Sequence, residues 1–123
     1  MGPEELNGAT LAYLGDAVLE IMVRERVISG GYTNTGKLNE LALRYVRATE
    51  QSKAVDNIIG LLDDEELSFY RRGKNAKVNH PKSASAEEYS RATGFEALFG
   101  FLHMKGRRER MEYLFTQAYG DQI

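Results

Sequence analysis

Apolar residues recur along this chain with a helical period, and strand-like alternation is scarce. Asn7 is a natural N-cap for a long first helix that runs to about Ile28, where Ser29-Gly30-Gly31 ends it. Thr33 or Asn34 opens a second helix, with Leu38, Leu41, Ala42 and Tyr45 on one stripe. A third spans about Thr49 to Leu62, with Ala54, Val55, Ile58, Ile59 and Leu62 facing inward. Asp63 or Asp64 starts a short fourth helix ending near Arg72. The stretch from Gly73 to Ser85 has poor periodicity and reads as a surface loop. Ser85 followed by Glu88 forms a capping box, so a fifth helix runs from there to about Met104. Gly106 breaks the chain, and a last amphipathic helix covers about Arg107 to Tyr119. The expectation is an all-α helical bundle forming a single domain over residues 1–123, with no internal repeat.

Two helices break the usual apolar-in, polar-out pattern. Leu11 to Val23 reads LAYLGDAVLEIMV, in which ten of thirteen residues are apolar and occupy every side of the helix. Such a helix belongs in a core or a subunit interface. It nevertheless carries Asp16 and Glu20, one turn apart on one face. Ala92 to Leu102 reads ATGFEALFGFL, with Glu96 as its only charge. Gly94 and Gly100 flank that glutamate and would let another backbone approach closely.

A carboxylate in apolar surroundings needs positive charge beside it. If the two helices pack together, Asp16 and Glu96 could share one cation. The commoner answer is a salt bridge, and Arg24, Arg26 and Arg91 are available for it. Glu20 reads as the exposed edge of its helix. His103, two turns beyond Glu96, reads as a partly buried structural histidine, and His80 as a solvated one.

Composition removes several chemistries. There is no cysteine, which excludes disulfides, thiolate zinc sites and cysteine nucleophiles. No apolar run reaches the roughly 18 residues of a membrane helix, and no phosphate loop, GxSxG or HExxH motif occurs. Net charge is only −2, but the residues from Leu67 to Ala86 hold five Lys or Arg and no acid. That window carries +5 and leaves −7 for the rest, so it is a local anion site on an acidic body.

Leu14-Gly15-Asp16-Ala17-Val18-Leu19 resembles the first ribonuclease III signature, in which the aspartate after a glycine binds the catalytic metal. Phe95-Glu96-Ala97-Leu98-Phe99-Gly100 is similar to the second, whose glutamate also binds metal. The resemblance is closer to the mini-ribonuclease III branch and covers Leu6 to about Tyr119. It includes the run Arg72-Gly73-Lys74-Asn75-Ala76-Lys77 and the pair Pro81-Lys82. That branch consists of the catalytic domain without a double-stranded-RNA-binding domain. Full-length ribonuclease III enzymes carry two further acids, where this chain has Ala12 and Thr93; the mini branch lacks both.

The resemblance implies a ribonuclease III-like catalytic fold and an endoribonuclease of the cytoplasm that hydrolyses double-stranded RNA. It implies Asp16 and Glu96 as catalytic, metal-binding residues, with Mg²⁺ as cofactor and Mn²⁺ as a substitute. The expected partners are a second copy of the chain, precursor large-subunit ribosomal RNA, and a ribosomal protein as helper. Arg72, Lys74, Asn75, Lys77 and Lys82 are the expected RNA contacts. A non-catalytic RNA-binding or ribosome-associated domain on the same fold is the alternative, favoured by Ala12 and Thr93. A helical dimerisation module without RNA is the third.

Overall fold

The computed structural model describes residues 1–76 and 84–120. A short 3₁₀ turn at Pro3–Glu5 precedes six helices: α1 (Gly8–Ser29), α2 (Thr35–Val46), α3 (Ala48–Ile58), α4 (Asp64–Lys74), α5 (Ala86–Met104) and α6 (Arg108–Tyr119). No strand occurs among the described residues.

Local chemistry sets most of the helix starts. The side chains of Asn7, Asn34, Asp63 and Ser85 each accept a backbone N–H in the first turn of α1, α2, α4 and α5. At Asp63 and Ser85 the reciprocal bond from Glu66 or Glu88 completes a capping box. Helix α5 ends in a Schellman motif. Gly106 has φ +67, its N–H donates to the His103 carbonyl at 3.0 Å, and Arg107 N–H reaches back to Leu102 at 3.0 Å. Two boundaries differ from the sequence reading. Helix α3 gives way to a 3₁₀ turn at Ile59–Leu61, which turns Ile59 outward. Helix α4 continues two residues past Arg72, so Gly73 and Lys74 are helical rather than part of a loop.

Helix α5 is the axis of the molecule. It packs against α1, α3, α4 and α6, most extensively against α1. Every residue from Ala92 to Leu102 is buried except Glu96, which is half-buried. Phe69 stacks on Phe101 at 3.9 Å, and Phe95, Phe115, Tyr45 and Tyr119 form a second aromatic group. The Tyr119 hydroxyl donates to the Tyr45 carbonyl at 2.8 Å and ties α6 to α2. Each such aromatic contributes roughly 1.5–3 kcal/mol by leaving water.

The α1–α5 crossing is made by glycines. A Cβ on Gly15 would overlap the Glu96 carbonyl, and one on Gly100 would overlap the Leu11 carbonyl. The two backbones therefore touch with nothing between them. Gly94 serves a different neighbour: it lies against the ring and carbonyl of Tyr70 on α4.

Within one chain α1 is not buried all round, as its composition suggested. Leu11, Val18, Leu19, Val23 and Val27 face the core, while Tyr13 is 84% exposed, Ile21 62% and Ile28 59%. The periodic stripe is present; the opposite side is apolar as well but faces outward.

Candidate active site

The Gly15 contact decides where the acids go. Because α5 lies directly on Gly15, the next residue of α1 and the residue of α5 that makes the contact are neighbours in space. Asp16 and Glu96 line one cleft of about 410 Å³, together with residues from the α2–α3 junction and the start of α5. Their carboxyl groups are within hydrogen-bonding reach of each other.

This pair is electrostatically unfinished. Burial, then the Asp16 charge, then the Asp16 hydrogen bond push the Glu96 carboxyl up to about 8. At neutral pH and with no cation at hand, Glu96 keeps its proton. No guanidinium or ammonium of the described residues pairs with either one. The three arginines available for salt bridges are engaged elsewhere. Arg24 pairs with Glu20 at 3.3 Å, Arg26 donates to the Gly120 carbonyl at 2.8 Å, and Arg91 pairs with Asp56. No third His, Cys, Asp or Glu joins the two acids among the described residues.

The donor set suits magnesium. Two carboxylate groups converge in an open cleft, and Mg²⁺ commonly takes one or two carboxylates, keeping water and substrate oxygens for its other positions. A divalent cation would also remove the like-charge conflict that raises Glu96.

A model of the ribonuclease III domain matches residues 9–107, which include both acids. Curated relatives named mini-ribonuclease 3 align over most of the chain. The protein from Desulfitobacterium hafniense is 48% identical over 94% of this chain and 73% of its own length. The one from Symbiobacterium thermophilum is 44% identical over 94% of this chain and 90% of its own. The chain belongs to the mini-ribonuclease III family. It is an endoribonuclease, which removes the non-catalytic alternatives. An X-ray crystal structure of a Fusobacterium nucleatum protein superposes with a TM-score of 0.87 at 31% identity, covering 94% of this chain and 91% of that one.

The positions where this family member lacks the acids of full-length enzymes are now placed. Ala12 is buried in the core of α1, and Thr93 lines the cleft, its hydroxyl donating to the Tyr89 carbonyl at 2.9 Å. Neither offers a third carboxylate.

The expected RNA contacts separate into three groups. Arg72 donates to the carbonyls of Glu4 at 3.0 Å and Leu6 at 2.9 Å and stacks over Phe69, so it clamps the N-terminal segment to α4. Lys74 is half-buried and reaches Glu87 at 3.6 Å, an exposed pair that a phosphate could replace, and Asn75 is exposed at the α4 C-cap. Lys77 and Lys82 lie outside the described residues, as does His80. His103 is exposed at the end of α5 and does not line the cleft.

Sequence reasoning missed four other residues that line the cleft: Arg47, Thr49, Gln51 and Tyr89. One signal was available. Gln51 stands three, four and seven residues before Ala54, Val55 and Ile58, so it interrupts the inward stripe of α3 with an amide.

Proposed function

We propose that this chain is a divalent-metal-dependent endoribonuclease that cuts double-stranded RNA as a homodimer, with Asp16 and Glu96 holding Mg²⁺ or Mn²⁺. The observation that carries the reading is the pairing of the half-buried Glu96 with Asp16 in one cleft, with no cation of the described residues beside them. When bound, the ion supplies Lewis acidity toward the scissile phosphate and lowers the pKa of a water, giving 5′-phosphate and 3′-hydroxyl ends. The chain's own task is to keep the two carboxylates converged. The rigid α1–α5 crossing does this, because each acid sits on a helix whose neighbouring backbone cannot shift. Thr93, turned back onto Tyr89, leaves the cleft open beside them.

Duplex recognition is by shape, phosphate and 2′-hydroxyl. Lys74 and Asn75 are the described candidates for backbone contacts, and Lys77 and Lys82 the candidates outside the described residues. Arg72 supports them by fixing α4. The outward apolar face of α1, with Tyr13, Ile21 and Ile28, supports a two-fold interface of two copies. Two copies would present one site to each strand. A precursor of large-subunit ribosomal RNA, presented in the cytoplasm with a ribosomal protein, is the proposed substrate.

End-mapping after incubation of a labelled structured RNA, with and without magnesium, tests the reading. Paired cuts on opposite strands, dependent on the metal, are expected. Intact RNA under every divalent metal would reject it.

A further inference from the structure

The start of α3 lines the same cleft as the acids. Arg47 both ends α2 and precedes α3, in an extended conformation, and no side chain caps the helix it opens. The first N–H groups of α3 therefore lack an acceptor from its own turn. Arg47, Ala48 and Thr49 line the cleft, and the exposed Arg47 guanidinium makes no ion pair or hydrogen bond with a described residue.

Gln51 is a second and independent observation. It is only 4% exposed and lines the same cleft, yet its amide makes no hydrogen bond with any described residue. The Tyr45 hydroxyl is the only described side-chain polar atom both sealed from solvent and unpartnered. The Gln51 amide therefore keeps an opening, and the opening is the cleft. An amide with no partner in the fold and a single opening is free to bond whatever enters the cleft.

The chemistry of the wall selects that ligand. Helix N–H groups, a guanidinium, a hydroxyl and a carboxamide all donate hydrogen bonds, and the helix dipole adds positive potential. The nearest acid on the same turn, Glu50, is paired with Lys53 at 3.3 Å and does not line the cleft. An oxygen-rich anion is what such a surface holds. We propose that the N-terminus of α3, with Arg47 and Gln51, is a phosphate-binding subsite that grips the backbone of the RNA strand in the cleft shared with the Asp16–Glu96 pair. This rests on the nuclease reading for its ligand, but its grip does not require the metal.

Binding of a labelled RNA duplex in excess chelator, over a salt series, tests it. Arg47→Ala should weaken binding roughly tenfold and lower the salt slope by about one per site. Gln51→Met, similar in shape but without donors, should weaken binding roughly tenfold and leave the slope unchanged. Gln51→Glu should weaken it further, because a carboxylate then faces the phosphate. Wild-type affinity and slope in both Arg47→Ala and Gln51→Met would overturn the subsite. Should the Gln51 variants fail to fold, the amide resonances of Ala48 to Gln51 in the wild-type protein decide. Titration with inorganic phosphate should shift them, and an unmoved set overturns the subsite. Loss of cleavage under all metals with these effects intact would instead reject the nuclease reading alone.

Discussion

Two acids in this molecule, the buried Glu66 and the half-buried Glu96, have opposite surroundings. Glu66 is 1% exposed, and the Arg110 guanidinium reaches its two oxygens, each at 2.8 Å. It also accepts the Asp63 N–H at 3.0 Å, so its lone pairs are filled by the fold. Glu96 is answered by Asp16, a second acid. The first arrangement is complete as it stands and belongs to the architecture. The second finds no cation among the described residues, which is what a site that takes one from outside would show.

The largest effect that could break this contrast is on cleavage. Asp16→Asn or Glu96→Gln should lower the magnesium-dependent rate on duplex RNA by about 10³-fold or more, since the ion's contribution is several kcal/mol. Glu96→Gln should also melt higher than wild type in chelator. A mutant with wild-type rate would place Glu96 beside Glu66 as a structural residue.

Next in size is the converse substitution. Arg110→Met leaves Glu66 buried without its cation and should cost about 3 kcal/mol of stability in urea unfolding. Cleavage per folded molecule should be unchanged, because Arg110 is absent from the cleft lining.

Gly15→Ala tests how the acids are held. Its methyl must displace the Glu96 carbonyl, and α1 and α5 must part. A loss of about 1–3 kcal/mol is expected, with a fall in rate beyond what the unfolded fraction explains. Equal losses would show that convergence tolerates a looser crossing.

The last effect is on pH dependence. Glu96 rises from 4.5 to about 8, so between these values the folded chain holds a proton the unfolded chain has released. Stability in chelator should therefore fall as pH rises from about 5 to about 8. Magnesium should flatten that slope and Glu96→Gln should remove it, both read from thermal melts.

Much of the fold was legible in the residues. Asn7, Asn34, Asp63 and Ser85 mark helix starts because a cap is made within three residues of chain, and Gly106 marks a stop for the same local reason. Asp16 and Glu96 stood out because each is an acid in an apolar run. Arg72 did not reveal its role. A basic residue in a basic run reads as a phosphate contact, and only folding brought the Glu4 and Leu6 carbonyls to it. Gln51 was overlooked because an amide on an inward stripe gains meaning only once its surroundings are known to offer no partner.

The number, order and starts of the helices, the absence of cysteine chemistry, and the acids set in apolar runs were all readable in the residues. Those properties arise from neighbours within a turn or two. The tertiary structure decided that α5 lies on Gly15, that Asp16 and Glu96 thereby meet, that the nearby arginines are engaged elsewhere, and that α3 points its open end at the same cleft. These depend on which backbones can touch across the core, and a contact between residues eighty apart is fixed by packing rather than by local propensity.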